Sequence, residues 1–324
     1  MPQLIDLFKA KELTAAINAA PYSPGPIAQA KLFDEKGVST TKVVIDYTGN
    51  RIELVPSAPR GGIAQTMKGR SRAALELEMV HLPVRDTVMA DQVQDSRAPG
   101  SFDPESVAAV QQRRTAEMRQ NLELTLEYHR CGAMRGMVYD ADGSVLLDVF
   151  QEFGLVQQTV NFNIDSATTS VSATERVIAA QRASADAMPG LTPTGYTCFA
   201  SRGFLDRLRL HNSVQRLLEI LQRAELRTAE MLALSKTNFI EVPPFGDVNF
   251  IPDGEAVLVP EGIPDFLLTR FGPADGMSDV NSPGLPIVVK TQPLPFDKGV
   301  ALEAQMNVIN VPSRPRSIVR LTAE

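Results

Sequence analysis

Residues that could do chemistry are few and scattered along the chain. The three histidines, His81, His129 and His211, fall in no His-x-x-x-His or Cys-x-x-Cys spacing, so they make no zinc ligand set. Each reads as a surface or hydrogen-bonded side chain. Two cysteines, Cys131 and Cys198, are too few for a disulfide framework and sit in segments of different character, which predicts reduced, partly buried thiols. Asp140-x-Asp142-Gly143 has the carboxylate spacing that opens a calcium loop. Its glycine comes two places early and no glutamate closes the loop, so a tight turn is expected instead. Gly61-Gly62 beside Arg60 and Lys68 could cradle phosphate, but no Gly-Lys-Ser/Thr follows to contact phosphate and magnesium. Neither a Gly-x-Ser-x-Gly elbow nor a strand-borne Gly-x-Gly-x-x-Gly occurs, and nothing pairs two carboxylates for acid–base work. The sequence nominates no catalytic residue, no metal ligand and no cofactor.

The elements that would have to position a site are easier to read. The chain has 324 residues, 44% hydrophobic and 22% charged, enough for a buried core and for two domains. A net charge of −6 argues against a protein that grips nucleic acid by its phosphates, which needs a basic face. No apolar run approaches the ~20 residues that span a membrane. Lys9, Lys11 and Glu12 interrupt the start where a signal peptide would be apolar, so a cytoplasmic origin is expected.

The first thirty or so residues read as an extended arm. Leu4, Ile5, Leu7 and Phe8 make an apolar cluster, and Pro21, Pro24, Gly25 and Pro26 forbid regular structure after it. Strands are expected over 42–55 and 73–82. Between them lies a tip rich in glycine and proline that carries Arg60, Lys68, Arg70 and Arg72. Asp103 as N-cap, Pro104 and Glu105 then open a helix expected to run to about Met137, roughly 50 Å. Met118, Leu122, Leu126, Ala133 and Met137 mark its apolar face. A hairpin turns at Asp140–Gly143, and Gln157–Ile164 is read as a strand.

Ser172 and Glu175 form a capping box for a helix that stops at Pro189-Gly190. A strand at 196–200 and helices over 201–211 and 212–234 follow, the second buried through Val214, Leu217, Leu218 and Leu221. Strands are expected at 239–242, 248–251 and 256–258. Residues 260–298 read as loop, and a final strand pair covers 300–308 and 318–322.

The order of these elements resembles the tailed-phage capsid fold, the HK-ninety-seven fold, an α+β architecture. Within it, the chain is most similar to the lambda-type capsid protein E family. The stretches that carry the likeness are Arg113-Arg114 through Gly136, Phe250-Ile251-Pro252-Asp253-Gly254-Glu255-Ala256-Val257-Leu258, and Arg51 to Arg85. The resemblance implies an N-arm (1–40), an E-loop with flanking strands (41–102) and a spine helix with the peripheral sheet (103–166). It further implies an axial domain (167–298) and a return to the peripheral domain (299–324).

It implies a non-catalytic shell protein, without cofactor, that assembles with itself as hexamers and pentamers around double-stranded DNA. A separate scaffolding protein, a portal and a decoration protein are the implied partners, with only non-specific contact to packaged DNA. Nothing marks the Lys–Asn pair that cross-links some relatives. The proline-rich arm begins so early that no N-terminal scaffolding extension is expected to be cleaved off.

Leu4, Ile5, Leu7, Phe8, Arg60, Gly61, Gly62, Lys68, Arg70 and Arg72 are the expected contacts between subunits, the arm and the E-loop both crossing to a neighbour. Two other readings remain: an encapsulin-type shell around protein cargo, and an α/β enzyme with an unrecognised site.

Overall fold

A computed structural model of the chain describes residues 10–19, 25–48, 72–94, 106–164, 172–216, 232–246 and 248–323. The N-terminal part supplies helix α1 (Ala10–Ala19), the short helix α2 (Pro26–Gln29) and strand β1 (Phe33–Gly37). Strands β2 (Lys42–Thr48) and β3 (Arg72–Glu78) pair antiparallel with each other, and β4 (Val80–Met89) follows. One turn of helix, α3 (Ala90–Val93), precedes the long helix α4 (Val107–Arg135). The hairpin β5 (Met137–Tyr139) and β6 (Val145–Asp148) leads to α5 (Val149–Glu152), β7 (Gln158–Asn161), α6 (Ala173–Asp186), β8 (Gly195–Ala200) and α7 (Arg202–Leu210). The last strands are β9 (Leu232–Leu234), β10 (Thr237–Glu241), β11 (Glu255–Glu261), β12 (Leu267–Phe271), β13 (Val288–Pro293), β14 (Gly299–Pro312) and β15 (Val319–Thr322).

Two mixed sheets carry the fold. The first runs β1-β12-β14-β13, with β4 also paired to β14. Residues 300–305 of β14 pair with both β13 and β4, so those two strands flank it. The second sheet runs β7-β15-β11-β8-β10-β9.

Helix α4 bridges the two. Ser106 caps its start by accepting from the Ala109 N–H at 3.2 Å, and Gly136 ends it in the left-handed conformation, φ 95°, as glycine allows. Its 29 residues make it about 43 Å long. Val110, Met118, Leu122 and Leu126, at helical spacing, pack on Val289, Leu302, Ala304 and Met306 of the first sheet. One end turn further, Cys131 and Met134 join Phe199, Val257 and Val259 of the second. On the opposite face of that second sheet, Val177, Phe204, Leu205 and Leu208 of α6 and α7 cover Cys198, Leu258 and Val319.

Several sequence expectations change in the structure. The helix is capped by Ser106; Asp103, Pro104 and Glu105 lie outside the described residues. It stops at Arg135, so Met137 belongs to β5 and is exposed. The strand expected over 73–82 is two strands broken at Met79, and β4 runs on through Pro83, which pairs with Gln305. Among the described residues β4 pairs only with β14, and an edge position tolerates proline's missing N–H. Helix α6 starts where expected, but the Ser172 side chain makes no cap; the Ser213 hydroxyl accepts from the Ala173 N–H instead, at 3.1 Å.

The helix after α7 is present over 212–216, with Val214 buried. Leu217, Leu218 and Leu221 lie outside the described residues, and β9 occupies the expected helix end. Residues 248–251 form a bend closed by a Phe245–Val248 bridge. The supposed loop over 260–298 carries β12 and β13, both paired to β14. The last two strands sit in different sheets. Residues 167–298 and 299–324 each contribute strands to both sheets, because pairing is set by partners far away in sequence.

Candidate assembly surfaces

The described part of the arm lies on its own subunit. Leu13 and Ile17 of α1 enter the core formed by α4 and the first sheet. The Thr14 hydroxyl donates to the Val289 carbonyl at 3.3 Å and accepts from its N–H at 3.0 Å. The arm from Ala10 to Ala19 therefore seals its own sheet, where the sequence suggested a strap across a neighbour. Its amphipathic face finds the open side of β13 before any second chain is needed.

Buried charges on α4 hold the arm in place. Glu127, 5% exposed, accepts from the Ile27 N–H at 2.6 Å and the Ala28 N–H at 3.1 Å. Burial pushes its carboxyl up from the ordinary range, while the two N–H donors and Arg130 pull it back. Gly25 makes the approach possible, since a Cβ there would lie 2.4 Å from Glu127 Oε1. Arg119 donates to the Ile17 carbonyl and pairs with Glu123 at 2.6 Å. Arg130 pairs with Glu35 of β1 at 2.6 Å, donates to the Thr269 hydroxyl at 3.3 Å and lies over the Phe33 ring. Thr269 in turn donates to Asn310 at 2.7 Å. The sequence signal for these groups is the charge interleaved with the apolar stripe at Arg119, Glu127 and Arg130; reading only the stripe passed over them.

The β2–β3 pair joins no strand of either large sheet. Its base is anchored by Ile45 and Leu77, which pack on Leu268, Ile309 and Val311. On the other face Lys42 pairs with Glu76 at 3.1 Å and Val44 is exposed. Of the expected contact residues, Arg72 lies in β3 opposite Thr48. Leu4, Ile5, Leu7, Phe8, Arg60, Gly61, Gly62, Lys68 and Arg70 lie outside the described residues. Large apolar side chains are exposed elsewhere too, notably Val156, Met277 and Phe296.

The candidate chemical groups disperse. His81 on β4 bonds Asn307, and His211 bonds Ser213 at 2.8 Å. His129 is buried in α4, where burial favours its neutral form. Cys131 and Cys198 are free and fully buried; burial pushes the Cys131 thiol up to about 12 and raises Cys198 as well. Asp140–Gly143 is a turn, closed by the Gly143 N–H on the Asp140 carbonyl with Gly143 at φ 85°. Among the described residues no three histidine, cysteine or carboxylate groups gather as metal ligands, and no helix is long and apolar enough to cross a membrane.

Comparison with known proteins decides what such an arrangement belongs to. The family described as phage major capsid protein E matches residues 9–323. The chain belongs to the phage major capsid protein E family. The major capsid protein of Pseudomonas phage KPP10 is 24% identical over 345 aligned residues, covering 99% of this chain and 98% of that one. That of Salmonella phage Felix O1 is 23% identical over 164 residues, covering 50% of this chain and 45% of that relative. Among solved structures, the capsid of cyanophage P-SCSP1u matches with a TM-score of 0.54 at 10% identity, covering 94% of this chain and 90% of that one. Mycobacterium phage Bobi gives 0.54 at 14% identity, covering 94% and 92%.

The fold is the α+β tailed-phage capsid fold that the element order suggested. The resemblance expects a spine helix where α4 stands, the base of an E-loop where β2–β3 stand, and an N-arm where α1 and α2 stand. The protein is a structural component of the phage head.

Proposed function

We propose that the chain assembles as hexamers and pentamers into an icosahedral head enclosing double-stranded DNA, and that this happens in the cytoplasm of a host bacterium. The observation that carries this reading is the β2–β3 pair. Its described residues are anchored to their own subunit through Ile45 and Leu77, and a two-stranded ribbon is at best marginally stable alone. A neighbouring subunit supplies the missing surface. The basic tip residues Arg60, Lys68, Arg70 and Arg72 meet acidic groups of that neighbour, beside the Gly61-Gly62 turn. Scaffolding, portal and decoration proteins act as separate partners, and packaged DNA touches the inner face without sequence preference. The spine and arm clamp keep each subunit rigid enough to repeat.

Electron microscopy of particles purified with this chain tests the proposal, combined with nuclease and protease analysis of their contents. Closed shells holding double-stranded DNA are expected. Shells holding only a protein cargo would convert the reading to an encapsulin-type compartment. A protein that stays monomeric and turns over a substrate would replace it with an enzyme.

A further inference from the structure

A cavity of about 220 Å³ lies where α4, the β2–β3 pair, the β5–β6 hairpin and β14 meet. Leu77, Val138, Leu147 and Val308 give it an apolar wall, and its polar lining is His129, Asn310, Glu76, Glu78 and Glu152. His129 is 1% exposed, and its Nε2 has no hydrogen-bond partner. An N–H on that nitrogen would be a buried donor without an acceptor, so the nitrogen is kept bare and the ring neutral. Burial favours the same state, while Asp140 at the hairpin turn favours the charged one.

The groups around His129 leave a charged ring without a ready partner. Glu76 and Glu78 of β3 and Glu152 of α5 are exposed, and Glu76 is already paired with Lys42 at 3.1 Å. The Asn310 side-chain oxygen accepts from the Thr269 hydroxyl at 2.7 Å. Along α4 the neighbours are the Tyr128 ring, 6.3 Å away between centroids, and Arg130, which is engaged with Glu35.

We propose that His129 is a proton-operated latch: a proton arriving at Nε2 draws water into the cavity and frees the β2–β3 pair and the β5–β6 hairpin from α4. A buried charge without partners is costly. The cavity has room for several waters at ~30 Å³ each, and opening its mouth brings Glu78 and Glu152 towards the ring. The contact that must part is the cluster joining Leu77 of β3 to Leu147 of β6. The unfolded chain takes up this proton near the ordinary value of 6.5, the folded chain only at lower pH. The latch is therefore closed above about 6.5 and weakens as pH falls below it. It acts within one subunit, so its test does not depend on assembly.

Amide hydrogen exchange of the full-length subunit, corrected for the intrinsic effect of pH, reads the latch at about pH 7.5 and about pH 5. Amides of 73–78 and 137–148 are expected to lose at least tenfold in protection at the lower pH, while those of β11 keep theirs. His129→Phe fills the space without titrating and should abolish the loss. A second measurement needs no substitution: deuterium uptake at the imidazole C2 carbon reads the protonation of His129 apart from His81 and His211. His129 should become charged over the pH range in which the two segments open. Unchanged protection at about pH 5, or an equal loss in His129→Phe, would overturn the proposal. So would a loss shared by β11, which is global unfolding, or a His129 that stays neutral while the segments open.

Discussion

The carboxylate of Glu127 grips the backbone of Ile27, accepting its N–H at 2.6 Å and that of Ala28 at 3.1 Å. Helix α2 is so short that these N–H groups have little intrahelical use, and a single residue on the spine fixes the arm's exit. Glu127→Ala should leave the buried Ile27 donor and the half-buried Ala28 donor unpaired and cost about 1–3 kcal/mol. Glu127→Gln keeps an acceptor oxygen and should cost less.

The same contact should make the subunit respond to pH. Burial, the larger influence, raises the Glu127 carboxyl above its ordinary value of 4.5, so the folded state favours the protonated form more than the unfolded chain does. Its contribution is therefore fully present below about 4.5 and lost as pH rises through the raised value. The midpoint of thermal unfolding of the native subunit minus that of Glu127→Gln should increase as pH falls from 7 towards 4.5. A difference that stays flat across that window would contradict this assignment.

Gly25→Ala should loosen the arm, because the added methyl would meet Glu127 Oε1 at 2.4 Å. The expected loss is about 1–3 kcal/mol, typical of overpacking. Combining it with Glu127→Ala removes the clash along with the clamp, so the double variant should be less destabilised than the two single losses added together. Simple additivity in denaturant unfolding would show that Gly25 is not there for Glu127.

Gly132 sits inside α4, where alanine would normally gain about 1 kcal/mol of helix stability. Here a Cβ would lie 2.6 Å from the Met137 carbonyl and 3.0 Å from Val138 Cα. Both are backbone atoms of the hairpin strand that follows the helix and cannot swing aside as a side chain would. Steric cost should exceed the propensity gain, and Gly132→Ala should lower the unfolding midpoint. A rise would mean that the hairpin shifts freely against the spine.

Such contacts show why local features were legible in the sequence and longer-range ones were not. The Asp140–Gly143 turn, the helix starting after Ser201 and the apolar stripe Met118–Leu122–Leu126 are written in neighbouring residues. Gly132 could be seen only as an oddity inside a helix, since its partner strand turns back on it three-dimensionally. Strands β12 and β13 lie among prolines and glycines; β12 owes its place to residues 308–312 of β14, tens of residues away, and β13 pairs with β14 across the turn that follows Pro293. The clamp was missed because Glu127 looks like an ordinary solvated charge until Gly25 and Ile27 arrive from a hundred residues earlier. Pro83 stopped the reading of β4 at Leu82, although the strand's edge position makes the proline harmless.

Separating what stabilises one subunit from what joins several needs two variants compared on two scales. Deleting residues 2–20 removes Leu13 and Ile17, which are buried against the first sheet. At roughly 1.5–3 kcal/mol for each fully buried apolar side chain, that loss is a large share of a typical domain's stability of about 5–15 kcal/mol. The truncated chain should therefore show a lowered unfolding midpoint as an isolated monomer. Substituting Arg60, Lys68, Arg70 and Arg72 together by serine removes charge from the E-loop tip but nothing from the described core. Exposed ion pairs contribute about 0–1 kcal/mol each, so Arg60→Ser alone should assemble normally and the fourfold variant should assemble weakly while its monomer unfolds at the native midpoint. Calorimetry on monomers and sedimentation of assembled particles read the two effects apart. If the truncated monomer unfolds at the native midpoint and only its assembly fails, α1 works between subunits, and the packing of Leu13 and Ile17 on their own sheet contributes little.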